Sequence, residues 1–443
     1  MSNVKKVLFF LPVLLLSSCN FKYNYVIAGM PTGGGGTWDN EEEEDYSDEG
    51  TYDIKVWVDD KIVDLTRTQI QSFAAESGGH YTINARVEPQ SEGTAASQML
   101  QDVQSGADIF VFAQDQLSRL KVAGAVSKIT GNYASFIQKN NSKDSVKAAS
   151  LDGNGETLYA FPVTSDNGYF LYYDKRIIPD ADASDMSKIL ADCKSAGKKI
   201  NFEARSNGFY AASYFLATEN GKEGATPLCK SDWTLDEETG KFTAYDDNFY
   251  GDNGLIAAKG LKELDDTSLV AGNSLASKLG DTAAAVISGI WEYDVASNRL
   301  KDNLGCAELP SYTVDGKSYH LGSYDGYKLM GVKPQRDAKK ASVCRKLARY
   351  LTGEACQTQR FKEVAWGPTN SKSSQRDEVA NHPGLAALNA QHKYATQQGQ
   401  CPGAWFVALS TTAKSVKNNS TDDQIRAVLN NYKNGLPDLL DED

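Results

Sequence analysis

Residues 158–176, LYAFPVTSDNGYFLYYDKR, read as one long extended segment that belongs to no single compact body. Aromatic and aliphatic residues alternate with smaller ones (Tyr159, Phe161, Val163, then Tyr169, Leu171, Tyr173), which suits a strand, while Thr164 to Gly168, TSDNG, break the pattern with turn residues. A strand with a soft polar break can leave one lobe and enter another. Asp166 and Asn167 would then stand at the mouth of the cleft between the lobes, where ligand sites tend to form.

On the N-terminal side of this hinge the chain repeats strand and helix. Residues 53–58, DIKVWV, read as a buried strand, and 64–75 carry Leu65, Ile70 and Phe73 at amphipathic-helix spacing. Residues 81–87 give a second strand, followed by a helix over 95–103 whose N-terminal N–H groups face the cleft. Residues 107–113, ADIFVFA, form a third strand, and Asp115 is placed to cap a helix over 116–123 that Gly124 ends. Successive units of this kind imply a mostly parallel sheet. The sequence 152–156, DGNGE, has oxygen ligands spaced a little like a calcium loop, but it lacks the acidic twelfth position and the flanking helices, so a hairpin turn is expected.

Beyond the hinge a second α/β lobe forms. Helices are expected over 185–196, 210–218 and 254–264, the last introduced by residues 241–248. Residues 281–293, DTAAAVISGIWEY, read as a buried strand of small and β-branched residues, after which Ser288-Gly289 turns the backbone and presents Trp291 and Tyr293. Residues 319–332 are again extended and aromatic, the expected return crossing. Helices over 338–352 and 354–364 end sharply at 366–370, WGPTN, and helices over 385–395, 405–417 and 421–432 complete the chain. The lobes so drawn are discontinuous: 52–165 with 325–365, and 166–324 with 366–443.

The chain has 443 residues, 41% hydrophobic and 23% charged, enough for two or three domains of ordinary globular composition. Residues 1–18 have a short basic start (Lys5, Lys6) and an apolar run over 7–16, too short to span a bilayer but suited to a signal-peptide core. Leu16-Ser17-Ser18-Cys19 resembles the bacterial lipobox, in which the cysteine is lipidated and becomes the new N-terminus; acyl chains on Cys19 would then be the only hold on the membrane. Residues 19–51 follow as a tether, flexible at Gly33 to Gly36, with nine acidic and no basic residues over 39–53. Much of the formal net charge of −12 lies there, so it says little about the folded part. No basic stripe marks a nucleic-acid surface. Cys193, Cys229, Cys306, Cys344, Cys356 and Cys401 are free to pair outside the cytoplasm, with Cys193–Cys229 and Cys344–Cys356 expected from nearness in sequence. The four histidines are scattered singly, none at metal-ligand spacing to a cysteine, so neither a metal nor another cofactor is expected.

The order of motifs carries a resemblance. GADIF (106–110) through DQL (115–117) to AGA (123–125), then YAFP (159–162) through YYDK (172–175), and AVISGIW (285–291) together resemble the extracellular solute-binding proteins of ABC importers, most of all the maltose/oligosaccharide-binding branch. The likeness covers roughly residues 52–435. It implies a two-lobe, periplasmic-binding-protein-like (type 2) α/β clamp with a hinge of several crossovers. Such a clamp closes on a mono- or oligosaccharide and presents it as a monomer to ABC permease subunits. By the same resemblance Asp60 and Lys61 follow the first strand where the family contacts sugar hydroxyls, and Glu92 lies near the end of the next. Phe112 stands where the branch has tryptophan, Asp115 matches its carboxylate, and Asp166 falls at the hinge acid. Tyr210, Trp291, Tyr293 and Trp405 match aromatic positions of the second lobe and the C-terminal helices, and Trp366 is a further crossing aromatic. Phe112 in place of tryptophan, and Gln116 in place of a basic residue, point away from maltose itself.

The residues make the same case chemically. A sugar offers faces of C–H groups and rims of hydroxyls, which aromatic plates flanked by carboxylates and amides match. Each residue also has a plainer reading: core packing for Phe112, Trp291 and Trp405, a helix cap for Asp115, a turn for Asp166. A carbohydrate-active hydrolase is the main alternative, because paired carboxylates cleave glycosides. The chain carries no G-x-S-x-G, P-loop, H-E-x-x-H or dinucleotide fingerprint. A lipid-anchored sugar sensor or adhesin would use the same cleft. The balance of these readings is a binding protein and not an enzyme.

Overall fold

The computed structural model describes residues 46–219, 226–236, 238–264, 269 and 275–441. The signal peptide, Cys19 and most of the expected tether lie outside the described residues.

Two sheets dominate. The first has the strand order Tyr81–Pro89, Gly50–Val58, Ile109–Ala113, Lys328–Val332, Phe161–Thr164. Gly50–Val58 runs parallel to both of its neighbours, and Lys328–Val332 runs antiparallel to the strands on either side of it. The second sheet has the order Leu304–Ala307, Phe170–Asp174, Ala283–Ser288, Lys199–Asn201. The hinge segment supplies one strand to each: the chain leaves the first sheet at Thr164 and enters the second at Phe170. The return crossing is made in pieces, Ser323–Asp325 and then Lys328–Val332.

Periodicity explains the helices that cover the first sheet. Val63–Glu76 buries Thr66, Gln69, Ile70 and Phe73 on one face, and Ala338–Leu351 buries Val343, Cys344, Leu347, Ala348 and Leu351. Each fully buried side chain of the size of Phe73 contributes about 1.5–3 kcal/mol. In the second lobe the strand Ala283–Ser288 is buried along its whole length, as its run of small and β-branched residues predicts.

Several local expectations change. Residues 241–248 do lead to a helix, Asp252–Leu261, but as a strand: Phe242–Asp247 pairs antiparallel with Ser231–Leu235. The helices Gly131–Asn140 and Lys143–Ala148 were not anticipated. The expected disulfides do not form, since all six described cysteines are free. Burial pushes the Cys344 thiol up to about 12, which keeps it un-ionised and inert. Residues 152–156 form a turn, in which the Asp152 carboxylate accepts from the backbone N–H groups of Asn154, Gly155 and Thr157 below a Ser150–Leu158 bridge.

Gly208 allows two helices of the second lobe to approach closely. A Cβ there would lie 2.0 Å from the carbonyl oxygen of Phe406, a backbone atom that cannot swing aside. Gly208→Ala is expected to lower the urea midpoint, at a cost of about 1–3 kcal/mol. A midpoint equal to the parent's would contradict this packing.

Candidate functional site

The topology brings chemistry to one edge. The parallel strands of the first sheet end at Val58, Pro89 and Ala113, so Asp59-Asp60-Lys61, Glu92 and Asp115 follow on the same side. The antiparallel strand Lys328–Val332 starts at that edge, with Lys328 opposite both Ala113 and Thr164. Asp166 comes two residues after Thr164. In the second sheet, Ser288 pairs with Phe170, so the turn that carries Trp291 leaves from the edge at which the hinge arrives. Crevices at strand ends are where open α/β sheets hold ligands.

Lys328 is the centre of this region. Its side chain is 1% exposed, and its ammonium lies 2.8 Å from Glu92 Oε1, 3.7 Å from the centroid of the Trp366 ring and 5.7 Å from that of Trp291. Burial works against its charge, but Glu92 and Asp166 outweigh burial and hold the ammonium above its ordinary value. Burial likewise works to raise the Glu92 carboxyl, and Lys328 reverses this, leaving it below its usual range. The pair therefore contributes stability above the unfolded glutamate value and loses it as pH falls through the depressed one. Removing one partner of such a buried pair costs about 3–5 kcal/mol.

Asp166 is fully buried. Its Oδ2 accepts from the Gly367 N–H at 2.6 Å, whereas Oδ1 has no partner. Desolvation raises its carboxyl, against the pull of Lys328. Trp366 is 2% exposed, and its indole N–H is also buried without a partner. Buried polar atoms are rarely left without a hydrogen bond, so these two, with the Lys328 ammonium that has an ion pair but no aligned hydrogen bond, mark a spot completed by a hydrogen-bonding guest or by water. Trp291 is half-buried and folds back over Gly289, where a Cβ would lie 2.1 Å from its ring. Its carbonyl accepts from Lys61 Nζ at 2.5 Å, a bond from one lobe to the other. Gln400 makes a second tie, donating to the Gln114 carbonyl at 2.8 Å and accepting from the Ser118 N–H at 3.1 Å.

Of the residues singled out in the sequence, Lys61, Glu92, Asp166, Trp291 and Trp366 thus come together, with Asp60 exposed beside Lys61. Asp115 stands at the same edge but turns toward Arg119 and Cys401. Phe112 is fully buried within the first sheet, against Phe110. Trp405 is in the second-lobe core, its indole N–H donating to Tyr432 Oη at 2.8 Å. Tyr210 lies beneath the Trp291 strand end, 3.4 Å from Ser288 Oγ. Tyr293 packs on His382, ring centroids 4.1 Å apart.

Three features were missed. Lys328 was a charge inside an otherwise buried strand, a signal that could have been read. Asp59 was passed over for its neighbour, yet it is Asp59 whose carboxyl burial and Glu92 push up to about 6. Phe209 and Phe406 are half-buried at two helix starts in the second lobe, and Phe209 stacks on Tyr324. A separate cavity of about 490 Å³ adjoins the hinge, lined among others by Ser165, Ser323, Pro368, Leu388 and His392. None of the sequence-predicted site residues lines it.

A sequence model of the bacterial extracellular solute-binding proteins matches residues 68–387. Among curated proteins no sequence match is found. Many solved structures share the fold. One, described as being with acarbose, is 24% identical with a TM-score of 0.73, covering 88% of this chain and all of its own. The unliganded maltodextrin-binding protein MalE1 of L. casei BL23 is 17% identical, with a TM-score of 0.68 over 88% of this chain and 98% of that one. The GacH receptor of Streptomyces glaucescens is 16% identical, with a TM-score of 0.67 over 89% and 99%.

The half-buried Asp115 tests the electrostatics. Desolvation pushes its carboxyl up to about 6, above the unfolded value of 3.8, so the folded state binds more protons than the unfolded one between those values and stability falls as pH rises through that window. Asp115→Asn should therefore raise the melting temperature at pH 7, with the advantage shrinking as pH approaches 4. An advantage that does not vary with pH would contradict the assignment.

Proposed function

Because this chain belongs to the bacterial extracellular solute-binding proteins, we propose that it captures an uncharged sugar, an oligosaccharide in first place, between its two lobes and hands it to the permease of an ABC importer. The observation that carries the reading is the pair of orphaned buried polar atoms, Asp166 Oδ1 and Trp366 Nε1, beside the half-buried ring of Trp291. A pyranose supplies what both need: hydroxyls that donate to the carboxylate and accept from the indole, and a C–H face for the ring. That relatives of the same fold are described with acarbose or as maltodextrin binders supports the class of ligand.

In this reading the lobes are 52–165 with 325–374 and 166–324 with 375–443, the boundary after 365 moving to 374 because the Thr369 and Asn370 N–H groups donate to Gln357. Lys61 and Trp291 hold the closed form. A sugar selects that form because only there do both walls meet it. Cys19, lipidated, anchors the chain to the outer face of the membrane, and among the described residues no helix is long and apolar enough to cross it. Glu92 is committed to Lys328, while Asp166 holds the hinge backbone through Oδ2 and keeps Oδ1 for a hydroxyl.

A thermal-shift screen of neutral mono- and oligosaccharides is expected to give at least one hit that calorimetry confirms without release of hydrolysis products. Hydrolysis during incubation would favour a glycosidase instead. Trp291→Ala is expected to weaken the hit by more than about tenfold with its melting curve retained. Unchanged affinity would remove Trp291 from the site.

A further inference from the structure

We propose that Lys328 determines the ligand class of the cleft: lodged on Trp366 and paired with Glu92, its ammonium fills a cation cage and leaves Trp291 as the plate offered to an uncharged sugar. The inference rests on the sugar-binding reading above and adds the residue that decides which sugars are admitted.

The geometry is that of an occupied cage. Two indole rings, at 3.7 and 5.7 Å, and the Glu92 carboxylate, at 2.8 Å, surround one ammonium group, while Asp166 and Asp59 contribute further negative charge. Aromatic faces with carboxylates behind them are how proteins recognise ammonium ligands. Here the chain supplies the ammonium itself. At 3.7 Å from the ring centroid, Lys328 occupies the face of Trp366 on which a pyranose would otherwise stack. Trp366 is thereby left with its N–H edge as its means of contact, and the half-buried Trp291 becomes the stacking surface.

Charge follows the same logic. Asp59, Glu92 and Asp166 face Lys61 and Lys328, with the buried guanidinium of Arg360 behind Asp166, so the carboxylates and cations of the wall are already matched and an acidic sugar finds no cation left to pair with. A basic sugar finds its natural cage filled. The guest left over is neutral. The four other residues of the strand, Leu329 to Val332, are apolar or glycine and equally buried, so packing alone gives no reason for a lysine at its head.

The test removes the ammonium and offers it back. Lys328→Ala lacks a propylammonium group's worth of side chain, and millimolar n-propylammonium chloride is expected to raise its melting temperature, with 1-propanol at the same concentration having no such effect. Equal effects of the two would overturn the cage. In calorimetry, Lys328→Met is expected to shift the ratio of affinities toward the glucosamine disaccharide, protonated on nitrogen, over its neutral N-acetylated form by at least about tenfold relative to the parent. Lys328→Gln, which keeps a donor for Glu92, serves if the methionine variant does not fold, and the same shift is expected. A parent that binds sugars and variants with an unchanged ratio would overturn the role of Lys328 alone. A parent that binds no sugar would overturn the sugar reading beneath it.

Discussion

A buried ammonium must be surrounded by negative charge, and in this protein that requirement ties two loops, a strand and the hinge to one point. Lys328 heads the strand that closes the first sheet, and its side chain is 1% exposed. Glu92 reaches it from the loop after the second strand, Asp59 from the loop after the first and Asp166 from the hinge. An uncompensated charge at this depth would cost several kcal/mol, so the loops cannot drift independently. The result is a wall held rigid before any ligand arrives, which lowers the ordering cost of binding.

The opposite wall is built differently. In the second lobe, glycines let aromatic rings and backbone come close: Gly289 admits the ring of Trp291, and Gly208 admits the backbone at Phe406. One lobe thus presents fixed charge and orphaned polar atoms, the other aromatic faces, and the Lys61–Trp291 bond joins them. A guest with a hydroxylated rim and apolar faces meets both demands at once. Where the ties between the lobes are hydrogen bonds such as Lys61–Trp291 and Gln400–Gln114, closed and open forms can lie within a few kcal/mol, the range in which a ligand can shift populations.

Much of this fold was legible in the sequence because its signals are local. Alternation over 158–176, broken by TSDNG, announced a strand shared between lobes, and the small-residue run before Gly289 announced a buried strand that presents Trp291. The hairpin of Ser231–Leu235 and Phe242–Asp247 was hidden because its alternation is of exposed residues and its aspartates read as a helix start. Phe112 and Trp405 show where aromatic positions stop being informative: ring type says nothing of which face of a strand or helix meets the core, and both are buried. The Lys328 cluster was the least legible feature, since its members are spread over some 270 positions and converge only through sheet order. The cysteines misled because nearness in sequence is not nearness in space.

The central claim is that a neutral sugar sits between the two sheet edges, on Trp291 and against the hinge. A crystal structure grown with the sugar that scores in the thermal-shift screen tests it most directly. The account predicts a ring stacked on Trp291, with hydroxyls within hydrogen-bonding distance of Asp166 Oδ1 and Trp366 Nε1 and with Lys328 still on the face of Trp366. A sugar found instead in the cavity beside Ser323 and Leu388, with the Lys328 cluster untouched, would contradict it.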